Sequence, residues 1–369
     1  MHTAKLFIVI LFFGFLSPAL LAQKSHKPPM SVIAYFTGNA EAINRYDVKK
    51  LTHIIYSFCH LRNGKLSVDN AADSATIKHL VSLKAINPSL KVMLSLGGWG
   101  GCAPCSQAFS TKAGRKQFAQ SVKQLNRYFK TDGIDLDWEY PTIPGHPGHL
   151  YQAADYHNFT HLVKLLRKAL GRTHEISFAA GGFQQFLDSS VNWKAVMPLV
   201  NRVNLMSYDL VNGYATVTGH QTSLYSTKQG EESTHNAVSY LLKLGIPAHQ
   251  LVIGAAFYTR IWTNVAPQNN GLYQAGKHVP GVIYSQYQQV FTPQNGWQRF
   301  WDNKAKAPFW YNASEQKFAT GDDEQSIKEK TQYALNQKLG GIMFWELVLD
   351  KPKDGLLDII DRTIYPTKE

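Results

Sequence analysis

Short apolar runs of five to seven residues recur along the chain, and most are separated by stretches with apolar residues at every third or fourth position. Stretches such as residues 112–129 and 158–170 have the periodicity of amphipathic helices. Strands alternating with helices indicate a parallel sheet, and eight such units predict a closed (β/α)8 TIM barrel. An open doubly wound sheet is the alternative, but no GxGxxG segment opens a helix. The predicted strands are Val32–Phe36, His53–Phe58, Val92–Leu96, Gly133–Trp138, Ile176–Ala180, Arg202–Tyr208, Leu251–Phe257 and Gly341–Trp345.

The interval between the seventh and eighth predicted strands is much longer than the others. Residues 261–317 are rich in aromatic residues, Gln, Asn and Gly, and a helical pattern resumes from Asp322 to Lys338. We therefore expect a small α+β insertion at residues 261–317, on the C-terminal face of the barrel. It would lie within one catalytic domain that spans residues 23–369.

Residues 1–22 have the pattern of a secretory signal peptide: Lys5, an apolar run from Leu6 to Leu16, a Ser-Pro break and then small residues. The apolar run is too short to cross a bilayer, which needs about 20 residues. We expect removal near Ala22, no membrane anchor in the mature protein, and a secreted or periplasmic location.

The composition indicates a globular protein, because 44% of the residues are apolar and 17% are charged. The 38 Lys and Arg against 26 Asp and Glu give a net charge of +12. A basic surface can suit nucleic acid, but the chain has no run of five Lys or Arg and no helix-turn-helix or zinc-knuckle pattern. We expect no nucleic-acid partner.

The three cysteines are too few for a disulfide scaffold. In an oxidising compartment, the Cys102-Ala-Pro-Cys105 segment favours a local structural disulfide over redox catalysis. The sequence leaves open whether Cys59 pairs with Cys102 or stays free. Because a metal site would need more ligands, we expect no metal. We also expect no organic cofactor.

Three acids alternate with apolar residues in the segment Asp132–Tyr140, DGIDLDWEY. On a strand, Asp135, Asp137 and Glu139 share one face, which in a barrel points to the interior and ends at the mouth. Crowded carboxylates at low dielectric raise at least one pKa, as a general acid requires. A calcium loop counted from Asp135 would need Gly where Tyr140 stands. The segment therefore predicts acid catalysis.

The same segment resembles the DxxDxDxE signature of glycoside hydrolase family 18, the chitinases and their relatives. Four further segments resemble motifs of that family, in family order and each at the end of a predicted strand. They are Ser95–Trp99 (SxGG), Met206–Asp209 (MxYD), Tyr258–Arg260 (YGR, with Thr259 in place of Gly) and Gly341–Trp345, the eighth-strand segment that ends in an active-site Trp.

This resemblance implies retaining hydrolysis of β-1,4-linked N-acetylglucosamine, in which the substrate's acetamido oxygen replaces an enzyme nucleophile. By the family pattern, Glu139 protonates the glycosidic oxygen and Asp137 orients the acetamido group as it closes to an oxazolinium ion. Asp135 shares a proton with Asp137, and Tyr208 donates a hydrogen bond to the acetamido oxygen. Asp132, at the start of the strand, is expected to be structural.

The resemblance also implies aromatic platforms, because sugar rings have apolar faces. Trp345 would form the floor under the reacting sugar, and Trp99 would stack the sugar beyond the cleaved bond. The partners would be chitin or N-acetylglucosamine oligosaccharides, bound by a monomer. The other residues expected to line the cleft are Tyr35, Phe58, Met206, Asp209, Tyr258 and Arg260, although Tyr35 and Phe58 equally fit core packing.

Two alternatives remain open at this point. One is an endo-β-N-acetylglucosaminidase acting on N-glycans, or a peptidoglycan-directed relative. The other is a chitinase-like lectin, a class that typically loses the acid at the position of Glu139, which this chain keeps. His146 and His149 follow the fourth predicted strand, where we expect a solvated loop rather than a metal pair.

Overall fold

The computed structural model describes residues 30–366, so the signal peptide predicted at residues 1–22 lies outside the described residues. The strands are β1 Ser31–Phe36, β2 His53–Arg62, β3 Lys65–Ser67, β4 Lys91–Gly97, β5 Gly133–Asp137, β6 Glu175–Gly181, β7 Arg202–Met206, β8 Leu251–Ala256, β9 Thr259–Thr263, β10 Lys277–Val279, β11 Trp297–Asp302, β12 Ala307–Asn312, β13 Lys317–Gly321 and β14 Gly341–Trp345. The helices are α1 Ala71–Ser82, α2 Cys105–Phe109, α3 Lys112–Phe129, α4 Asp155–Leu170, α5 Gln184–Ser189, α6 Trp193–Val196, α7 Thr234–Lys243, α8 Tyr287–Val290, α9 Glu324–Asn336 and α10 Leu356–Ile364.

Eight parallel strands form a closed barrel, in the order β1, β14, β8, β7, β6, β5, β4 and β2. The barrel closes because β1 pairs in parallel with both β14 and β2. All eight strands predicted from the apolar runs are present in the barrel, so the predicted fold class is confirmed. The two helices expected at residues 112–129 and 158–170 correspond to α3 and α4.

The alternation of side chains along the strands separates two apolar regions. Side chains that point outward, such as Ile134 and Leu136, pack under the surrounding helices in the large core. Side chains that point inward form a small cluster that includes Ile33, Met93 and Met343. Because side chains alternate along a strand, the residues next to Ile134 and Leu136 point into the barrel. The polar side chains of β5 therefore lie in the interior beside this small cluster.

Side-chain caps fix where α3 and α9 begin. The side chain of Thr111 caps α3 by accepting a hydrogen bond from the Gly114 amide at 3.0 Å. Asp323 and Ser326 form a capping box at the start of α9. In residues 30–366, no helix is both long enough and apolar enough to cross a membrane.

A second sheet of five antiparallel strands lies between barrel strands β8 and β14, in the order β10, β9, β13, β12 and β11. Its apolar core is separate from that of the barrel and contains Trp262, Phe309 and Phe318. The limits expected for the insertion, residues 261 and 317, fall within β9 and β13. The aromatic residues of this region therefore divide between this small core and the large core under the barrel helices, which includes Trp297 and Trp310.

Candidate active site

Asp135 lies at the middle level of the barrel interior and is fully buried. The register of β4, β5 and β6 aligns it with Ser95 and Ser177. Its carboxylate accepts four hydrogen bonds: from Ser95 at 2.9 Å, from Ser177 at 2.6 Å, from Tyr35 at 3.1 Å and from Asn204 at 3.2 Å. Burial raises its pKa, and the hydrogen bonds from the hydroxyl groups oppose that rise.

Asp137 is the next acid towards the mouth, and its surroundings differ sharply. Its side chain is 3% exposed, and its Oδ1 atom has no hydrogen-bond partner among the described residues. Burial, together with the negative charges of Glu139 and Asp135, raises its pKa well above the usual range. Leaving a buried acceptor unpaired costs about 1–3 kcal/mol, so this oxygen is free for a donor that a ligand brings.

Glu139 is the third acid in the row of Asp135, Asp137 and Glu139, which we call the acid file. It lies at the mouth of the barrel, where its side chain is half-buried. Burial raises its pKa to about 7, repulsion by Asp209 acts in the same direction, and a hydrogen bond from Tyr140 opposes them. A carboxyl group with this pKa holds a proton near neutrality and can release it, as a general acid must.

Asp132 stands apart from the file, at the start of β5. Its Oδ2 atom accepts a hydrogen bond from the Val92 amide at 2.7 Å and lies 2.6 Å from Nζ of Lys84. Its side chain therefore joins β5 to β4 and pairs with the Lys84 ammonium, as expected of a structural residue.

Tyr208 follows β7 and is half-buried beside the upper acids. Burial and the charges of Asp137 and Glu139 raise the pKa of its phenol well above the usual range, so the hydroxyl remains a donor. A Cβ atom on Gly254 would lie 2.8 Å from Cε1 of this ring and 2.5 Å from the Leu205 carbonyl oxygen. Because Gly254 has no side chain, the ring of Tyr208 can occupy this space.

Asp209 and Arg260 form a bidentate ion pair beside the file. Nε of Arg260 donates to Oδ1 of Asp209 and Nη2 donates to Oδ2, both at 2.7 Å. The Arg260 guanidinium lies 5.3 Å from the centre of the Tyr258 ring. Two hydrogen bonds in one plane fix the orientation of both side chains.

Three aromatic rings close the floor of the barrel mouth. The ring of Phe58 is stacked on Trp345, with centroids 5.6 Å apart and planes at 16°. Tyr35 lies 5.9 Å from Trp345 but is 2% exposed, and its hydroxyl is bonded to Asp135. Tyr35 therefore supports the acids from below, whereas Trp345 and Phe58 are half-buried at the surface of the cleft.

Trp99 differs from these rings because 49% of its surface is exposed. Its ring meets Tyr140 edge-on at 6.4 Å. Met206, in contrast, is 8% exposed and belongs to the cluster inside the barrel. Of the side chains expected to line the cleft, Tyr35 and Met206 are thus the two most deeply buried.

The turn that carries Trp99 is followed by a bonded pair of cysteines. Cys102 and Cys105 form a disulfide with Cα atoms 5.2 Å apart, and Cys59 is free and buried. A Cβ atom on Gly97 would lie 3.4 Å from Sγ of Cys102 and 2.1 Å from the Asp137 carbonyl oxygen. The disulfide therefore packs against the same turn that contacts the backbone of the acid strand.

Comparison with known proteins decides the family. A family model described as glycosyl hydrolases family 18 matches residues 31–350. The chain belongs to glycosyl hydrolases family 18. Membership confirms the resemblance found in the motifs, and it makes this protein a glycoside hydrolase.

Individual relatives agree with this assignment. The chain is 31% identical to Chitinase A1 of Niallia circulans over 76% of its own length, but it spans only 43% of that protein. It is 30% identical to Chitinase B of Serratia marcescens over 85% of its length and 76% of the relative. A solved family 18 N-acetylglucosaminidase from Paenibacillus barengoltzii has a TM-score of 0.82 and 34% identity, covering 90% of this chain and 99% of that one.

The family 18 fold brings together the acids of β5, the pair formed by Tyr208 and Asp209, and the Trp345 floor. Sequence analysis missed three groups that support them. Ser177 and Asn204 bond to Asp135, and Gly254 makes room for Tyr208. The two polar residues had a readable signal, because each stands between two apolar residues in a strand and so faces the interior with Asp135.

Proposed function

We propose that this family 18 hydrolase is a chitinase that cleaves β-1,4 linkages between N-acetylglucosamine units. It would retain the anomeric configuration and react through an oxazolinium ion formed from the substrate's own acetamido group. The observation that carries the proposal is the contrast within the acid file. The lowest acid is fully hydrogen-bonded, whereas Asp137 has an unpaired oxygen beside the protonatable Glu139.

In the first step, Glu139 gives its proton to the glycosidic oxygen while the bond from that oxygen to C1 breaks. The acetamido oxygen forms a new bond to C1, and the ring closure leaves positive charge on the oxazolinium ion. Oδ1 of Asp137 would accept a hydrogen bond from the acetamido N–H, and the Tyr208 hydroxyl would donate one to the acetamido oxygen. These contacts hold the acetamido group in line for attack.

In the second step, water attacks C1 from the side that the leaving sugar has vacated. Glu139, now ionised, takes a proton from that water and returns to its starting state. Two inversions at C1 give net retention. A pKa of about 7 suits a group that must give and take a proton in turn.

The surroundings of the acids support a linear polymer as the substrate. Trp345, which packs on Phe58 and lies 5.9 Å from Tyr35, would serve as one platform, and Trp99, which is 49% exposed, would serve as a second. The sheet inserted after β8 carries Arg260 and so forms a wall beside the same mouth. We further propose that the protein acts as a monomer and is exported through the signal segment of residues 1–22.

A second candidate is favoured by one comparison. The Paenibacillus barengoltzii structure, which this chain matches over 99% of that protein's length, is described as an N-acetylglucosaminidase. The protein would then release N-acetylglucosamine itself as the main product. Product length separates the two candidates.

The test is the digestion of chitin oligosaccharides of four to six units by purified residues 23–369, with products separated by size and their anomers followed by NMR. A chitinase should give dimers or longer products, and an N-acetylglucosaminidase should give monomers from the start. Products that first appear as the α-anomer would contradict the proposed mechanism. If no oligosaccharide is cleaved, N-glycans and peptidoglycan fragments become the substrates to test.

A further inference from the structure

The loop between β5 and α4 contains two histidines that the proposed reaction does not use. The ring of His146 meets Trp99 edge-on, with centroids 5.5 Å apart and planes at 65°. The ring of His149 lies 4.7 Å from that of His146. In residues 30–366, no third His, Cys, Asp or Glu joins this pair to form a metal site. The two rings instead continue the row of aromatic side chains that begins at Trp99.

The turn that carries Trp99 lies between Phe58 of β2 and His146 of the loop after β5. A Cβ atom on Gly98 would lie 2.3 Å from Cε2 of Phe58. A Cβ atom on Gly100 would lie 3.4 Å from Cδ2 of His146. Both glycines have positive φ, 81° and 89°, a conformation that other residues rarely adopt. The turn therefore packs closely against the floor ring on one side and against His146 on the other.

The hydrogen bonding of His146 fixes which of its nitrogen atoms is free. Nδ1 lies 3.0 Å from the carbonyl oxygen of Pro147, which can only accept, so Nδ1 carries the proton. In the neutral ring, Nε2 is then an acceptor, and no group in residues 30–366 pairs with it. Because the ring is half-buried beside an exposed Trp, it can meet a ligand that stacks there.

A sugar offers both kinds of contact that this pair can make. Its C–H face stacks on an aromatic ring, and its hydroxyl groups donate hydrogen bonds around its rim. We propose that His146 adds a hydrogen-bond acceptor to the Trp99 platform and so helps to bind the N-acetylglucosamine unit on the leaving-group side of the cleaved bond. Trp99 stacks the face, and Nε2 of His146 accepts from a hydroxyl of the same unit.

This inference rests on the proposed function, which supplies the substrate and the direction of the chain. It makes His146 a specificity-determining residue: substrates that continue past the cleaved bond with a sugar gain a contact that an aryl leaving group lacks. The expected consequence is a difference in KM between the two kinds of substrate.

The test uses His146→Phe, which keeps an aromatic edge against Trp99 but removes the acceptor, and His146→Ala, which removes both. KM and kcat are measured on chitohexaose and on a nitrophenyl chitobioside. His146→Phe should raise KM for chitohexaose about fivefold, and His146→Ala about tenfold or more, since one hydrogen bond contributes about 1 kcal/mol. His146→Gln, with an amide oxygen as acceptor, should recover part of the loss.

Matched controls keep the result specific. His157 is an exposed histidine on α4, and His157→Ala should leave both substrates unchanged. His146→Phe should raise KM for chitohexaose by a larger factor than KM for the aryl substrate, and the melting temperatures of the variants should match that of wild type. Equal losses on both substrates, or no loss on chitohexaose in folded variants, would overturn this role of His146.

One result separates this inference from the proposed function. If wild type cleaves neither substrate, the proposed function fails, and the role of His146 is measured by direct binding of chitohexaose through tryptophan fluorescence. Binding that is about fivefold weaker in His146→Phe than in wild type would still support that role. Equal binding by the two proteins would overturn it.

Discussion

The two ends of the barrel interior each enclose a glutamate, and the pKa of the carboxyl group is shifted in opposite directions at the two ends. At the lower end, Glu175 pairs with Arg202 through an ion contact and lies 3.1 Å from Nε2 of His53. Burial alone would raise the pKa of Glu175, but its bonds with His53 and the charge of Arg202 lower it to about 2. At the mouth, Glu139 has no cation bonded to it in the described residues, and burial raises its pKa to about 7.

The comparison shows that enclosure by itself does not determine what a carboxyl group does. Where a fixed cation compensates the buried charge, the carboxylate stays ionised and stabilises the fold. Where the compensation is absent, the group keeps a proton that it can transfer. One barrel thus holds a structural acid at one end and a reactive acid at the other.

Replacing the reactive acid should have the largest effect. Glu139→Gln keeps the shape of the side chain but cannot donate and regain a proton, so kcat on chitin oligosaccharides should fall about 10³-fold. Binding of chitohexaose, measured by calorimetry, should remain. A variant that still turns over at more than about a tenth of the wild-type rate would remove Glu139 from the role of general acid.

Replacing the structural acid should instead affect stability. Glu175→Gln leaves the Arg202 charge without its partner, so the free energy of unfolding should fall by about 2–4 kcal/mol, less than for a fully buried pair. Denaturant unfolding measures this loss. Activity per folded molecule should not change, and a loss of kcat without a loss of stability would break the comparison.

The two ends should also respond to pH in separate windows. Activity needs protonated Glu139, so kcat/KM should fall as the pH rises above about 7, up to tenfold per pH unit. Stability should fall in acid, because burial and the Arg202 charge lower the pKa of His53 from 6.5 to about 4. Between those values the unfolded chain binds a proton that the folded chain does not, and Glu175 adds a further loss from 4.5 down to about 2.

A pH–rate profile measures the alkaline loss of activity, and unfolding at several pH values measures the loss of stability in acid. Glu175→Gln should flatten the lowest part of the stability curve and leave the alkaline limb of activity in place. An activity limb that moved with this variant would show that the two ends are coupled.

The smallest effect is expected at Gly254, which shapes the mouth without chemistry of its own. Gly254→Ala would push on the ring of Tyr208, so kcat should fall about fivefold to tenfold. A double-mutant cycle with Tyr208→Phe checks the route, because a glycine that acts through the tyrosine should cost little more in the double variant. Additive losses would indicate a different cause.

Much of the barrel could be predicted because its signal is local. Each strand is a short apolar run, and the alternation in β5 and the two residues after it put Asp135, Asp137 and Glu139 on one face. The family motifs then named the groups that follow the other strands. The support of Asp135 by Asn204 and Tyr35 was not foreseen, because it depends on which strands meet across the interior.

The sequence by itself determined the fold class, the family and the order of the three acids along one strand, since those follow from periodicity and from residue types at fixed spacing. Only the tertiary structure decided which acid is paired and which is not. The partners of Asp135 lie up to 100 residues away along the chain, as in the bond from Tyr35. A pKa depends on the charges and donors that surround a group in space, and the closing of the barrel sets that arrangement.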